Sequence, residues 1–121
     1  MRYGDRLQEL RSKLQREGLQ SFLACSPSNV RYLSGFSGSD GWLWVSSEQV
    51  ILLTDFRYRE RAAREAPDCQ LHIAKDRLAD ELVEIVVHSA IESVGFDSAS
   101  LTYKDYARLE DRLADVQLEP S

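Results

Sequence analysis

The chain has 121 residues, of which 43% are hydrophobic and 29% are charged. These proportions are typical of an ordered globular domain and differ from the low hydrophobicity and high net charge of disordered chains. A domain of this length buries roughly two-thirds of its unfolded surface, so a conventional core is expected. The net charge of −5 gives the chain no long-range attraction to phosphate. Nucleic-acid binders and polybasic membrane binders depend on that attraction, so we expect neither a nucleic acid nor a membrane as partner.

The amino terminus and the lack of a long apolar run predict a cytoplasmic protein, and the cysteines predict buried thiols. The opening MRYGDRLQEL contains no apolar signal core, and no run in the sequence approaches the ~18 apolar residues that a membrane span requires. Cys25 and Cys69 are far apart and outside any C-x-x-C motif. We therefore expect buried thiols rather than a disulfide scaffold or a zinc site.

The first predicted element is an amphipathic helix from Asp5 to Glu17, because apolar residues recur there at intervals of three and four: Leu7, Leu10 and Leu14. Asp5 with Gln8 can form a capping arrangement at its start. Gly18 suits the left-handed position that follows a helix. The spacing thus predicts both ends of the helix.

A strand and a short helix come next. The segment from Leu19 to Cys25, LQSFLAC, is short and apolar, as a buried strand would be. Ser26 and Pro27 then provide an N-cap and a first helical residue for a helix that runs to Leu33. A loop rich in glycine and serine, Gly35 to Gly41, separates this helix from the next apolar run.

Two apolar runs, WLWV and VILLT, are separated by the polar SSEQ and predict an antiparallel hairpin. Trp42 and Trp44 share one face of the first strand, while Leu43 and Val45 share the other. Two interpretations of the tryptophans remain open. Either at least one is exposed at an interface, where aromatic anchors are common, or both pack in the core against a helix.

The second half of the chain alternates helices with single strands. Asp55 provides an N-cap for a helix over FRYRERAAREA that ends before Pro67, and QLHIA follows as a strand. An apolar face predicts the next helix: Leu78, Leu82, Ile85 and Val86. IESVGF returns to strand, Thr102 with Asp105 begins the last helix, and VQL closes the sheet. This order predicts one α/β domain with a mixed sheet, one antiparallel hairpin and helices on both faces.

The residues predict no catalytic or metal-binding machinery in this chain. Only two histidines are present: His72 in an alternating strand, where it is expected to face solvent, and His88 at a helix end, where it complements the helix dipole. No serine lies in a G-x-S-x-G elbow, and neither cysteine has an identifiable histidine partner. The glycine-serine loop lacks the Lys-Ser/Thr of a P-loop and leads into a strand, so phosphate binding is not expected.

Two motifs carry a resemblance to a known family. The run SPSNVRYLSGFSGSDGWLWV, followed after the hairpin by LLTDFRYRERAAREA, resembles the amino-terminal domain of the Xaa-Pro peptidases, the prolidase, aminopeptidase P and creatinase family. The order of the other helices and strands matches that domain as well. The matching residues of the first motif are Asn29, Tyr32, Leu33, Gly35, Phe36, Gly38 and Ser39. Those of the second motif are Thr54, Asp55, Arg57 and Tyr58.

The resemblance implies a division of labour within a longer protein. In that family a carboxyl-terminal catalytic domain with a pita-bread fold holds a pair of divalent metal ions, such as manganese or cobalt, and cleaves the bond before proline. Residues 1–121 would form the single, non-catalytic amino-terminal domain, and the last residues, Glu119 to Ser121, suit the start of an interdomain connection. The domain would contact its own catalytic domain, support a homodimer and shape the cleft for a proline-containing peptide.

The resemblance also implies that the loop approaches the active site of a neighbouring subunit. Its glycines, Gly35, Gly38 and Gly41, are expected to allow positive φ and movement. Three side chains are expected to contact the substrate cleft or the neighbouring subunit: Phe36, Ser37 and Asp40. Asp40 could receive the positive amino terminus of a substrate, although an aspartate between glycines and serines is also a common turn former. Arg57 and Tyr58 are expected to hold the end of the hairpin or a neighbouring domain.

Two functions from different classes therefore remain open. The first is a non-catalytic domain of a metal-dependent Xaa-Pro peptidase, with a metal-independent, creatinase-like parent as a minor variant. The second is a stand-alone α/β interaction module that shares the fold and does no hydrolysis. The sequence does not distinguish a dipeptidase from an aminopeptidase, because that depends on both domains of the cleft.

Overall fold

The computed structural model describes residues 2–120. Its helices are α1 Arg2–Glu17, α2 Pro27–Ser34, α3 Arg59–Glu65, α4 Leu78–His88 and α5 Tyr103–Arg112, with a 3₁₀ turn at Phe56–Tyr58. Its strands are β1 Ser21–Ala24, β2 Gly41–Ser46, β3 Val50–Thr54, β4 Gln70–Ile73, β5 Ser93–Phe96 and β6 Gln117–Pro120. Within the described part of the chain, no helix combines the length and apolar character needed to cross a membrane.

The strands form one mixed sheet in the order β4-β3-β2-β1-β5-β6. Strand β2 is antiparallel to both of its neighbours, and the other pairs are parallel. The predicted hairpin is β2–β3, and the predicted mixed sheet is confirmed. Because β2 alone runs in the opposite direction, the carboxyl ends of the five other strands and the start of β2 meet at one edge, here called the carboxyl edge.

Helices cover both faces of the sheet, as predicted. One core cluster joins α4 and α5 to the face that carries Trp42, Trp44 and Leu53. The other joins α1, α2 and α3 to the face that carries Leu43 and Leu52. Because both faces are covered, both tryptophans are in the core, with 8% and 0% of their surface exposed. The interpretation that one of them is exposed is therefore wrong, and core packing against a helix is correct.

Local capping signals place several element ends correctly. The Ser26 side chain accepts a hydrogen bond from the backbone N–H of Asn29, and Pro27 is the first residue of α2. The Thr102 side chain caps α5 in the same way. Gly18 follows α1 with a φ of +73°. These residues were predicted from their hydrogen-bonding chemistry and backbone freedom alone.

The start of α1 corrects the prediction. The helix begins at Arg2, so Asp5 is in its first turn and does not cap it. Tyr3 explains the extension, since it stands four residues before Leu7 and continues the apolar stripe of the helix toward the amino terminus. The prediction began the stripe at Leu7 and therefore set the first residue of the helix too late.

Candidate functional site

The two sequence motifs meet at the carboxyl edge of the sheet. The loop Gly35–Gly41 enters β2, and the turn Asp55–Tyr58 leaves β3; together they are here called the loop–turn site. Gly41 and Thr54 are partners in the β2–β3 register. The Thr54 hydroxyl donates a hydrogen bond to the backbone carbonyl of Asp40. The hairpin therefore brings together residues that are well separated in sequence.

Arg57 connects the loop to the turn through two carboxylates. Its Nη2 is 2.9 Å from Asp40 Oδ2 and 2.7 Å from Asp55 Oδ2, and its Nε is 2.9 Å from Asp55 Oδ1. The side chains of Arg57 and Asp40 are more than half exposed, with 57% and 56% of their surface accessible. Exposed ion pairs contribute little to stability, so this group orients Asp40 more than it stabilises the fold.

Asp55 is the N-cap that the sequence predicts. Its Oδ1 accepts a hydrogen bond from the backbone N–H of Arg57 at 3.0 Å, and its backbone is extended. The hydrogen bond from the Arg57 side chain holds the pKa of Asp55 below its ordinary value. Asp55 is therefore ionised at neutral pH and remains available to the guanidinium.

Tyr58 contacts the loop at two residues, Ser39 and Phe36. Its hydroxyl lies 2.9 Å from Ser39 Oγ. Its ring meets the Phe36 ring edge to face, at 5.7 Å between centroids and 89° between planes, an arrangement that aromatic pairs prefer. Tyr58, from the second motif, thus contacts both a serine and the phenylalanine of the loop.

The loop packs on its own phenylalanine. Phe36 is fully buried, so its expected contact with a cleft or a neighbouring subunit is corrected: the ring belongs to the core of this domain. A Cβ on Gly38 would lie 2.3 Å from Phe36 Cζ, and a Cβ on Gly41 would lie 2.8 Å from Phe36 Cε2. The ring therefore leaves no room for larger residues at either position.

The glycines of the loop serve two different needs. Only Gly35 has a positive φ, of +90°, and it ends α2 in the left-handed region. A Cβ there would also lie 2.8 Å from the backbone oxygen of Glu65. Gly38 and Gly41 do not have positive φ, which corrects the expectation for them. Their small size, rather than their conformational freedom, is what the loop requires.

Ser37 is bound to the end of α3. Its backbone N–H donates to Glu65 Oε1 at 2.9 Å, and its hydroxyl lies 3.0 Å and 2.9 Å from the two carboxylate oxygens. The hydrogen bond from the Ser37 N–H holds the pKa of Glu65 below its ordinary value. The sequence reasoning missed Glu65. An available signal was an acidic residue in the last helical turn, where the dipole disfavours it.

Asn29 belongs to a separate structural contact. Its Nδ2 donates to Asp97 Oδ1 at 3.0 Å. Asp97 Oδ2 accepts the backbone N–H groups of Cys25 at 2.7 Å and of Ser26 at 3.0 Å. This buried carboxylate ties the end of β5 to the β1–α2 junction. The motif residue Asn29 therefore positions α2, from which the loop starts.

Tyr32 lies on the α1–α2 surface, with 52% of its surface exposed. The Arg6 guanidinium stacks over its ring at 4.1 Å from the centroid, and Arg6 Nη1 donates to the Tyr32 carbonyl at 2.8 Å. Its neighbour Leu33 is buried in the core instead. Of the first motif, the loop–turn site thus includes the residues from Gly35 onward, while Asn29 and Tyr32 have other contacts.

Outside the loop–turn site, the described histidines and cysteines belong to no cluster of metal-binding side chains. Among residues 2–120, no three histidine, cysteine, aspartate or glutamate side chains form a group that could hold a metal ion. His72 Nε2 is 2.6 Å from Glu81 Oε1, and His88 Nδ1 is 2.8 Å from the Glu84 carbonyl. His72 is 37% exposed, so it combines a partial exposure to solvent with an acidic neighbour.

Both cysteines are free and half-buried rather than fully buried. Burial raises the pKa of the Cys69 thiol to about 11. Burial, with a contribution from Asp97, raises the pKa of the Cys25 thiol still further above its ordinary value. Both groups are protonated at neutral pH, so neither has the thiolate character of a nucleophile.

A cleft of about 460 Å³ adjoins the exposed side of the loop. Ser39 and Asp40 line it together with residues from the starts of α4 and α5, among them Arg77, Lys104 and Asp105. Positively and negatively charged side chains thus line the cleft. The arrangement can bind and orient a polar group through Asp40, and it holds no paired nucleophile and base.

Comparisons with known proteins place this geometry in a family. The family model for the creatinase/prolidase N-terminal domain matches residues 6–121. The uncharacterized peptidase YqhT of Bacillus subtilis (strain 168) is 31% identical over 115 residues, which are 95% of this chain and 33% of that protein. The chain therefore spans about a third of the length of this curated relative.

Solved structures are similar over nearly the whole chain. A Xaa-Pro dipeptidase from Bacillus anthracis has a TM-score of 0.91 and 26% identity over 98% of this chain and 33% of that chain. The N-terminal domain of the cytoplasmic peptidase PepQ from Mycobacterium tuberculosis H37Rv has a TM-score of 0.86 and 33% identity, covering 97% of this chain and 91% of that chain. The similarity covers all five helices and the six-stranded sheet.

Proposed function

The chain belongs to the creatinase/prolidase N-terminal domain family of Xaa-Pro peptidases, and from this premise we propose that it is the non-catalytic amino-terminal domain of a metal-dependent Xaa-Pro peptidase. The parent would cleave the bond before proline in a dipeptide or at the start of a longer peptide. The observation that carries the proposal is coverage: the chain matches an isolated N-terminal domain almost completely but only about a third of a whole dipeptidase.

Catalysis is assigned to the remainder of the parent protein. The resemblance implies a pair of divalent metal ions, such as manganese or cobalt, in a carboxyl-terminal domain with a pita-bread fold. The described residues of this chain do not fit such a pair, because no three potential ligands converge. We therefore propose that the metal ligands come from the catalytic domain and not from residues 2–120.

The proposed contribution of this domain is to shape the cleft through the loop–turn site. Arg57 holds one carboxylate oxygen of Asp40, while Oδ1 of Asp40 has no hydrogen-bond partner among residues 2–120. That oxygen is free to receive the positively charged amino terminus of a proline-containing peptide. Ser39 stands beside Asp40 at the same cleft. Ser37 donates a hydrogen bond to Glu65, so it would position the loop rather than contact the substrate.

We propose that the carboxyl edge faces the catalytic domain, of the same subunit or of its partner in a homodimer. Strand β6 runs parallel to β5 and β1, so its carboxyl end points toward the edge that carries Asp40. Three strand spacings separate β6 from β2, which is roughly 14 Å. A domain connected after β6 would thus start close to the loop.

A cytoplasmic location is proposed for the parent. The Mycobacterium tuberculosis relative is described as a cytoplasmic peptidase. Both cysteines of this chain are free, which suits a reducing compartment. Fractionation of the source cells, with an antibody against this domain, would test the location.

The reading frame after the codon for Ser121 tests the proposal first. We expect it to continue into a domain that carries dispersed aspartate, histidine and glutamate ligands for two metal ions. A stop codon at that point would instead favour a stand-alone interaction module. In parallel, the 121-residue chain should hydrolyse no Xaa-Pro dipeptide in the presence of manganese, and turnover by the pure chain would overturn the division of labour.

A further inference from the structure

A second polar cleft, of about 570 Å³, lies between the first two turns of α1 and of α2, and it is here called the arginine cleft. Three arginines and two tyrosines dominate its lining, and no carboxylate contributes to it. Its lining includes Arg2, Tyr3, Arg6, Arg31, Tyr32 and, from the loop, Ser37. It differs from the cleft beside Asp40 in both composition and charge.

Aromatic rings hold the central arginine of this cleft in place. The Arg6 guanidinium is 4.1 Å from the ring centroid of Tyr32 and 5.4 Å from that of Tyr3. Arg6 Nη1 donates to the Tyr32 carbonyl at 2.8 Å, so one edge of the fork is occupied. Stacking orders the planar group before any ligand arrives and reduces the entropy lost on binding.

No carboxylate of the described chain lies within ion-pair distance of the three arginines in the arginine cleft. Arg57, Arg61, Arg108 and Arg112 all form ion pairs with carboxylates, whereas Arg2, Arg6 and Arg31 form none among residues 2–120. Ser28 is the second residue of α2, where a backbone N–H has no intrahelical acceptor. Three guanidinium groups and a helix start thus favour a negatively charged ligand.

The charge of the whole chain narrows the choice of ligand. The formal net charge is −5, so without the three arginines of the cleft it would be −8. A long polyanion such as a nucleic acid would be repelled by the rest of the surface. A short segment would meet only the cleft. Planar carboxylates match the guanidinium fork, and the tyrosines with Pro27 offer apolar contact beside it.

We propose that the arginine cleft docks an acidic peptide segment, a short run of aspartate or glutamate side chains from another polypeptide. The carboxylates would pair with Arg6 and Arg31, and the backbone of the segment would lie against Tyr32. This interaction surface lies on the α1–α2 side of the domain, shares only Ser37 with the loop–turn site, and is independent of any peptidase activity.

Titration of the 121-residue chain with acetylated hexaglutamate tests the proposal, with hexaglutamine as the uncharged control. Saturable binding of hexaglutamate that weakens between 50 and 200 mM salt is expected, because partly exposed charges are screened over that range. Replacing Arg31 by Gln should raise the Kd about tenfold through loss of a charged hydrogen bond. Both Arg31 and Tyr32 are exposed, so the melting temperature should not change.

Two further variants separate a built site from general attraction. Tyr32→Leu keeps every charge but removes the stacking surface of Arg6, and it should raise the Kd about threefold. Lys13→Gln removes an exposed charge of α1 outside the cleft and should leave the Kd within about twofold. No binding, equal effects of Arg31→Gln and Lys13→Gln, or tighter binding of pyrophosphate or a short oligonucleotide than of hexaglutamate would each overturn the proposal.

Discussion

The underside and the exposed side of the glycine-serine loop are held by different forces. Beneath the loop, Phe36 is fully buried, and Gly38 and Gly41 lie directly against its ring. On the exposed side, Asp40 and Arg57 form a solvent-accessible ion pair. Residues of one short loop therefore serve two purposes. The underside determines the shape of the loop, and the exposed side presents a chemical group.

This difference predicts that stability and activity separate within a single short loop. Changes beneath the loop should lower the free energy of unfolding, because dense packing tolerates neither a void nor extra volume. Changes on the exposed side should leave stability almost unchanged, because solvent screens the charges. Single substitutions test that separation, here in order of decreasing effect on stability.

Phe36→Ala should have the largest effect. The ring contacts Tyr58 edge to face and supports two glycines, so its removal leaves a cavity beneath the loop. Truncation of a buried phenylalanine costs about 3–5 kcal/mol. Urea unfolding followed by tryptophan fluorescence would measure the change, since both tryptophans are buried. A loss below about 1 kcal/mol would contradict the burial of the ring.

Gly38→Ala should be the next most damaging change. The new methyl group would lie 2.3 Å from Phe36 Cζ, and the resulting overpacking should cost about 1–3 kcal/mol. Gly4→Ala is the matched control, because a Cβ at that helical position meets nothing within 4 Å. The control should be neutral or should stabilise α1 by up to about 1 kcal/mol. Similar losses for both variants would refute the packing argument.

Glu65→Gln should cost about 1–2 kcal/mol, because the Ser37 N–H and hydroxyl lose a charged acceptor. The pKa of Glu65 is lowered in the folded chain, so its stabilisation is complete above the ordinary carboxyl pKa and is lost as the pH falls through the folded value. The difference in unfolding free energy between wild type and variant should therefore shrink toward acidic pH. A difference that grew toward acidic pH would contradict the assigned contact.

Arg57→Lys should have the smallest effect on stability. Lysine keeps the positive charge but cannot span both carboxylates with a planar fork. The melting temperature should be unchanged, because the arginine is exposed. NMR spectra should nevertheless report a shift of the Asp40 side-chain carboxyl signal. An unchanged Asp40 signal would mean that Arg57 does not orient it.

Local features of the structure could be predicted from the sequence. The N-caps Ser26, Asp55 and Thr102 act within three residues, so their chemistry is visible in a short window. The β2–β3 hairpin is equally local. The mixed sheet and its helices followed from the alternation of these elements. The family was identified from the two sequence motifs. Physical reasoning about single residues did not identify it.

Long-range contacts could not be predicted. The Ser37–Glu65 and Asn29–Asp97 hydrogen bonds span 28 and 68 residues, and no local pattern identifies such partners. The tryptophans illustrate the same limit, since strand periodicity gave their shared face but not the helices that cover it. Phe36 was expected to contact the substrate cleft or a neighbouring subunit because the family resemblance implies that its loop approaches an active site. Its burial depends on the space left by Gly38 and Gly41, which only the folded loop reveals.

The most direct test of the central claim is the kcat/KM of the full-length protein for a Xaa-Pro dipeptide such as Ala-Pro, before and after Asp40→Ala. Asp111→Ala is the matched control, because Asp111 is an exposed aspartate of α5. If Asp40 receives the substrate's amino terminus, its removal should lower kcat/KM about tenfold, the loss of one charged hydrogen bond, with an unchanged melting temperature. An unchanged kcat/KM, or an equal loss in the control, would contradict the role proposed for the loop–turn site.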